Sequence, residues 1–179
     1  MNVFTVLFVV PKQKEAIMAS IYGFSLKGRK TFQGTDGIGN QGNLYYGNKK
    51  VAWYNDYADG SMATLDYYNG AKGREEYVPI LQEAIKKYYE RFPMEEAFKH
   101  LTPDEEIFMS DLLLLMDEEK QYKKIEKSGY KYLATYQKKT DRMYYYEWSK
   151  DERFIEKTKA RTDITNLKIY SSLEDFDIK

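Results

Sequence analysis

The alternation of apolar and polar positions predicts one element above all others, a long α-helix over residues 102–130. Thr102 takes the N-cap position, Pro103 opens the first turn, and the carboxylate of Glu105 completes a capping box. Acidic residues fill the first turn and lysines the last two, which suits the helix dipole, and Gly129 provides the stop. These basic residues are Lys120, Lys123, Lys124 and Lys127.

The centre of this helix is apolar on every side. Residues 112–116 are consecutive apolar side chains that cover about 400° of turn at ~3.6 residues per turn, so one stripe cannot contain them. The helix is therefore expected either to cross the core between two β-rich parts or to pair with its copy in a homodimer. The candidate pairing residues are Leu112, Leu113, Leu115 and Met116.

Two more helices are predicted before the long one. Residues 74–92 place apolar side chains at intervals of three and four, which gives one buried stripe, and Pro79 moves the expected start towards Val78. Residues 94–101 form a short helix that buries Ala97 and Phe98. Helices therefore occupy the middle of the chain.

The N-terminal part is predicted to be β-rich. Residues 3–10 are enriched in β-branched and aromatic side chains, as in a central strand, and residues 12–22 form a short helical or irregular segment. Residues 44–46 and 49–54 form a hairpin, because Gly47-Asn48 supplies the positive φ of a two-residue turn. With a strand over residues 61–68, these segments make an antiparallel meander.

The C-terminal part repeats the β character. Residues 130–137 and 142–149 alternate in polarity and predict a second hairpin, followed by a charged helix over residues 150–161 and a strand over residues 167–171. Glu174, Asp175 and Asp177 then give an acidic tail.

The fold class is therefore α+β, with an antiparallel N-terminal meander, central helices including one long helix, and a C-terminal hairpin with a short helix and strand. We expect one domain over residues 1–179. Its possible lobes are residues 1–73, 74–129 and 130–179.

Composition limits the kinds of site and the cellular locations that the chain can have. The 179 residues contain no cysteine, which excludes disulfides, thiolate zinc sites and a cysteine nucleophile, and favours a cytoplasmic location. No apolar run approaches the ~20 residues of a membrane-spanning helix, so no membrane partner is expected. The first ten residues lack a basic start and a small-residue cleavage site, so a buried strand explains them better than a signal peptide.

Charge is balanced in total but segregated along the chain. Residues 75–119 carry four basic and thirteen acidic groups, whereas residues 120–161 carry thirteen basic and six acidic ones. Electrostatic arguments must therefore concern particular faces and not the net charge.

A nuclease-like string falls within the long helix. Pro103-Asp104 followed by Glu118-Glu119-Lys120 fits the pattern of metal-dependent PD-(D/E)xK nucleases, whose acids hold magnesium. In that family the residues lie on a β-hairpin. On one helix, a rise of ~1.5 Å per residue separates Asp104 from Glu118 by ~21 Å, too far to share an ion. We therefore assign the string to helix capping and predict no metal site and no cofactor.

Two other features lack the context that chemistry requires. Residues 37–42 match GxGxxG, but no helix follows, so a flexible or turn-forming loop is expected. The single histidine, His100, has no recognisable triad partners, and a structural role is expected for it. No catalytic residue is assigned.

The 18 tyrosines are the most unusual feature of the sequence. Runs such as Tyr45-Tyr46 and Tyr144-Tyr145-Tyr146 cannot be buried completely, because strand neighbours point to opposite faces. Exposed tyrosines suit protein interfaces and, beside lysine or arginine, stacking on bases. The predicted macromolecule-binding residues are Tyr45, Tyr46, Lys49, Lys50, Trp53, Tyr54, Lys72, Arg74, Lys138, Lys139, Arg142 and Tyr145.

In overall character this short, cysteine-free chain, rich in lysine and tyrosine, resembles proteins carried by phages and mobile elements of low-GC bacteria. That group includes inhibitors of host defence such as anti-CRISPR proteins. The resemblance rests on no motif and gives no residue a role. It implies a protein of the host cytoplasm that covers a nucleic-acid groove or a functional surface of a larger protein or ribonucleoprotein.

We therefore expect a non-enzymatic binding protein that docks on and modulates or inhibits a nucleic-acid-handling complex, with a host-defence nuclease as one such target. One alternative is direct binding of RNA or single-stranded DNA through the basic, tyrosine-bearing hairpins. The other is a metal-dependent nuclease built from acids outside the helix string.

Overall fold

The computed structural model describes residues 18–94, 101–141 and 143–179. Nine strands in two sheets and three α-helices lie in these ranges, which confirms the predicted α+β class. In chain order they are β1 (Ser20–Ile21), β2 (Phe24–Gln33), β3 (Ile38–Tyr46), β4 (Lys49–Asp56), β5 (Thr64–Tyr67), α1 (Ala71–Arg91), α2 (Glu105–Lys127), β6 (Tyr132–Lys138), β7 (Tyr144–Ser149), α3 (Phe154–Lys159), β8 (Ile164–Tyr170) and β9 (Asp177–Ile178).

The larger sheet has six strands in the order β5-β4-β3-β2-β1-β9. The hairpin of β3 and β4 is confirmed, as is the following strand, β5, and Gly47 adopts the positive φ that the turn requires. β2 was not expected from the sequence, and Ser20–Ile21 is a strand where a helical or irregular segment was predicted. The predicted strand at residues 3–10 lies outside the described residues, as does most of the predicted helix at 94–101 and the side chain of His100.

One face of the larger sheet is buried. Leu26, Leu44, Ala52 and Tyr67 are paired across four adjacent strands, and all four side chains lie in the hydrophobic core with residues of α1 and α2. The helices therefore cover this face of the sheet.

α1 begins at Ala71, earlier than predicted. Gly70, with φ of 58°, turns the chain into the helix, and the N–H of Arg74 donates to the Gly70 carbonyl. Pro79 is the ninth residue of α1 and does not set the helix start, which corrects the sequence-based expectation. Within the described ranges, no helix is both long and apolar enough to cross a membrane.

The long helix α2 is confirmed, but its cap differs from the prediction. Asp104, in an extended conformation, is the N-cap, and its carboxylate accepts a hydrogen bond of 2.9 Å from the Ile107 N–H. The predicted Thr102 capping box is wrong, because the charged acceptor Asp104, two residues further along, is the cap and satisfies the free amide of Ile107. At the other end Gly129 adopts φ of 79°, and the N–H of Tyr130 donates to the Ile125 carbonyl, which confirms the predicted stop.

The apolar centre of α2 lies in the core of its own chain. Leu112, Leu113 and Leu115 are buried, and Met116 packs against the same core cluster, which also includes residues of both sheets. The core alternative for this helix is therefore confirmed. The faces suggested for homodimer pairing are already occupied, so a dimer through them has no support.

The second sheet has the order β7-β6-β8. The predicted hairpin of β6 and β7 is confirmed, and the last predicted strand extends over β8. The acidic tail prediction is wrong: a short 3-10 helix, Leu173–Phe176, leads into β9, which pairs in parallel with β1 of the larger sheet. The Ser20 hydroxyl donates to the Asp177 carboxylate at this junction, so the end of the chain completes the first sheet.

A buried carboxylate ties α2 to the smaller sheet. Glu118 is fully buried and accepts hydrogen bonds from the Thr135 hydroxyl at 2.7 Å and from the Tyr170 hydroxyl at 2.5 Å. The Lys168 ammonium lies 3.5 Å from the same carboxylate. Because a buried charge needs partners, this network fixes how α2 sits on β6 and β8.

Replacing Tyr170 by phenylalanine is expected to destabilise the chain by about 1–3 kcal/mol, because the ring is kept and a donor to a buried carboxylate is lost. Urea unfolding measures the change. Tyr46→Phe, at a tyrosine that is 38% exposed, is the matched control and is expected to stay within about 0.5 kcal/mol of wild type. Equal losses in the two variants would contradict the role assigned to the Glu118 network.

Candidate macromolecular interface

The second face of the larger sheet carries aromatic and basic side chains in place of a core. Tyr45 pairs with Lys50, and Asn43 pairs with Lys27 on one side and Trp53 on the other, so these side chains project from the face opposite the helices. All of them are partly or fully exposed. We call this surface the open face and define it by Lys27, Lys30, Asn43, Tyr45, Lys50, Trp53 and Tyr68.

A β-bulge places two lysines of β2 on the open face. Lys27 pairs with Asn43 and Lys30 pairs with Gln41, two positions away on β3, and the register shifts between the two lysines. Gly28, with φ of 67°, accommodates the bulge. Without the extra residue, side chains three positions apart would point to opposite faces.

The rings of the open face are held in defined positions. The Lys27 ammonium lies 4.5 Å from the centre of the Tyr45 ring, and the Lys50 ammonium lies 4.7 Å from the centre of the Tyr68 ring. The Tyr68 hydroxyl donates a 2.8 Å hydrogen bond to the Asn43 side chain. Each of these two tyrosine rings thus carries a cation over its π face, which combines positive charge with flat apolar surface.

Three of the predicted binding residues lie on the helix side of the sheet. Tyr54 is buried, and loss of solvent raises its pKa to about 12, so it is not available to a partner. Tyr46 packs on Phe24 with ring centres 4.9 Å apart. The Lys49 ammonium lies 3.0 Å from Glu76, and hydrogen bonds to Tyr77 and Glu76 raise its pKa.

The remaining predicted residues do not join the open face. Lys72 and Arg74 are exposed at the start of α1, where the Arg74 guanidinium lies 5.9 Å from the Tyr67 ring. The Lys138 ammonium lies 4.1 Å from the Tyr145 ring on the smaller sheet, and Lys139 is exposed nearby. Arg142 lies outside the described residues. The structure therefore brings together only Tyr45, Lys50 and Trp53 of the predicted set.

Four residues of the open face were missed from the sequence. Lys27 and Lys30 lie on β2, Asn43 lies on β3, and Tyr68 directly follows β5. Residues 24–27 alternate between apolar and polar side chains, which is the pattern of a strand, but the bulge at Gly28 interrupts this alternation. A two-residue repeat therefore could not be followed along β2.

The glycine-rich string is part of a strand and not the predicted loop. Most of residues 37–42 lie in β3, where a Cβ on Gly39 would stand 2.5 Å from the Phe32 ring and one on Gly42 would stand 3.1 Å from Leu26. These two glycines make room for neighbouring side chains within the sheet.

The nuclease-like string does not form a metal site either. Asp104 caps α2 and Glu118 is enclosed in the core, while Glu119 accepts from the Ala19 N–H and from Lys123. In the described part of the chain, no three histidine or acidic side chains converge as metal ligands do. Comparison with protein-family models, curated proteins and solved structures finds no match to this chain.

Proposed function

We propose that the chain is a non-enzymatic binding protein that docks on a nucleic-acid-handling complex through the open face and modulates it. The observation that carries the proposal is that the Lys27 ammonium lies over the Tyr45 ring and the Lys50 ammonium over the Tyr68 ring, on a sheet face that the described helices do not cover. Tyrosine and tryptophan give a large contact area at little entropic cost, and they are enriched at protein interfaces.

The charge of the open face favours an anionic target. Three lysines, Lys27, Lys30 and Lys50, project from the open face. Against them, the paired strands place one acidic side chain on this face, Asp66, which pairs with Trp53. Such an excess of lysine speeds encounter with negative surfaces. A ribonucleoprotein offers both phosphates and protein surface, so it suits a face that combines cations with apolar rings. The resemblance in overall character to anti-CRISPR proteins supports a host-defence nuclease as the target on which the chain docks.

Site-specific photocrosslinking tests this proposal. A benzoylphenylalanine residue at Asp66, beside Trp53, is expected to capture one recurrent large protein in host cells, whereas the same residue at Gln82 on α1 is the matched control and is expected to capture none. Mass spectrometry identifies the captured chain. Capture of the same proteins from both positions, or of none from position 66, would contradict docking through the open face.

Direct binding of single-stranded nucleic acid is the second candidate. It is favoured by two aromatic side chains, Tyr45 on β3 and Trp53 on the neighbouring β4, which lie on the same face of the sheet. Stacking of one base on one ring contributes about 1–3 kcal/mol. We expect K27A/K50A to reduce the slope of log K against log salt by about 1.4 for a labelled uridine dodecamer, since each single-strand phosphate contact contributes about 0.7. Fluorescence anisotropy measures the slope.

The matched control for this second candidate is K86A/K120A, which removes two exposed lysines from α1 and α2. It is expected to leave the slope unchanged. Absence of oligonucleotide binding by the wild-type chain at low salt would remove this candidate without affecting the docking proposal.

A further inference from the structure

Asn55 on β4 has a buried amide oxygen without a hydrogen-bond donor. The residue is 7% exposed, and within the described part of the chain no donor reaches its Oδ1 atom. Burial of a polar atom without a partner is unfavourable, so native structures rarely keep such an atom unless a further group completes it. The missing partner of Asn55 is an N–H or O–H group that comes from elsewhere.

The Asn55 side chain lies on the same side of the sheet as the open face. Tyr54 is buried in the core with the helices, and side chains alternate along a strand, so Trp53 and Asn55 both project from the opposite side. The two residues are about 7 Å apart along β4. A flat group stacked on the Trp53 ring therefore presents its edge to the Asn55 oxygen.

A row of polar side chains crosses the sheet at Asn55. Lys30 on β2 pairs with Gln41 on β3, which in turn pairs with Asn55. On the other side Asn55 pairs with Thr64 of β5. Gln41 is partly exposed, Lys30 and Thr64 are exposed, and among the described residues none of the three has a side-chain hydrogen bond or ion pair. These side chains can turn aside and admit a ligand to the Asn55 amide.

The chemistry around Asn55 favours an unpaired nucleotide as that ligand. The neighbouring lysines, Lys27 and Lys30, attract phosphate, and the Trp53 ring can stack on a base. The edge of the stacked base then supplies the N–H that the Asn55 oxygen lacks. An acidic protein surface would satisfy the lysines, but carboxylates only accept hydrogen bonds and leave this oxygen without a donor. In a duplex the N–H groups of the Watson–Crick edge are already donated to the opposite base.

We propose that Asn55 accepts a hydrogen bond from the Watson–Crick edge of an unpaired base stacked on Trp53, so that the open face selects single strands over duplexes. This inference rests on the second candidate function, the direct binding of single-stranded nucleic acid, and adds the residue that recognises the base edge. Single strands are commonly recognised in this way, by rings that stack on the bases and polar groups that bind their edges. Every standard base has an N–H on that edge, so the selection is for unpaired bases and not for a sequence.

Uridine gives the simplest probe, because N3–H is the only N–H group of its base. The labelled uridine dodecamer is compared with a dodecamer of N3-methyluridine, which keeps the phosphates and the rings but has no base donor. Fluorescence anisotropy is expected to show about fivefold tighter binding of the uridine dodecamer to the wild-type chain. Equal binding of the two dodecamers would overturn this inference and leave the second candidate function intact.

Asn55→Val removes the acceptor and keeps a strand-forming side chain. In this variant the two dodecamers are expected to bind equally, at the affinity of the wild-type chain for the methylated one. Thr64→Val, at the exposed partner of Asn55 on β5, is the matched control and is expected to keep the preference for uridine. A preference that persists in Asn55→Val would show that another group recognises the base edge and would overturn the assignment.

The free chain gives a second readout, because an unsatisfied buried acceptor weakens the fold. Asn55→Val is expected to unfold at a higher urea midpoint than wild type, since the unsatisfied oxygen is removed and valine suits a strand. A lower midpoint would show that the chain itself satisfies the amide and would overturn the inference. Binding of neither dodecamer at low salt would overturn it together with the second candidate function, and protein capture from position 66 would then assign the face to a protein.

Discussion

Leu112→Ala is expected to destabilise the chain by about 2–5 kcal/mol, the range for a large aliphatic side chain removed from a rigid core. Leu112 is 0% exposed and lies in the cluster that α2 forms with both sheets. Total stabilities of domains are about 5–15 kcal/mol, so this one change removes a large part of the free energy of unfolding. The size of the effect follows from the position of α2 between the sheets.

Leu114→Ala is the matched control for this prediction, because Leu114 is only partly buried and lines a groove. Its expected loss is below about 1.5 kcal/mol. Urea unfolding at two protein concentrations gives both free energies. Similar losses for the two variants, or a wild-type midpoint that rises with protein concentration, would indicate that α2 is stabilised by a second copy and not by its own chain.

The second large effect that we expect is cooperative unfolding of the chain at alkaline pH. Burial raises the pKa of Tyr54 to about 12, against about 10 for an unfolded chain. A raised pKa in the folded state means that the folded chain keeps the phenol proton longer. The resulting stability is complete below pH about 10 and is lost as the pH rises above that value. The pKa is raised in the same direction, chiefly by burial, for Tyr67, Tyr88, Tyr89 and Tyr170.

Absorbance at 295 nm and far-ultraviolet circular dichroism, recorded together from pH 8 to 13, test the alkaline prediction. We expect a steep rise in phenolate absorbance that coincides with loss of secondary structure, whereas the chain in 8 M urea ionises gradually near pH about 10. Complete phenolate formation near pH 10 with unchanged circular dichroism would contradict the burial of these tyrosines.

The sequence was most informative where one local pattern decided the structure. The apolar centre of α2, its lysine-rich end and Gly129 sufficed to predict the helix and its stop. The hairpin of β6 and β7 followed from simple alternation. The N-cap was misplaced because Thr102 and Asp104 both precede acidic residues, and only the backbone conformation selects between them.

Prediction failed where structure depended on distant partners or on irregularity. β2 was not predicted because its bulge at Gly28 breaks the two-residue period. β9 was not predicted because a strand of two residues has no sequence pattern of its own and is defined only by its pairing with β1. The binding surface was predicted in part for the same reason. Tyr45 and Trp53 could be proposed as binding residues from composition. The strand register across four strands, however, decides which of the neighbouring tyrosines faces the helices, and the sequence does not reveal that register.

Docking through the open face is tested most directly by hydroxyl-radical footprinting of the chain alone and in complex with the target captured from position 66. We expect oxidation of Tyr45, Trp53 and Tyr68 to fall on binding, while Tyr57, which is exposed in the loop after β4, stays as reactive as before. Unchanged oxidation of all three open-face rings in a saturated complex would contradict binding through the open face of the larger sheet.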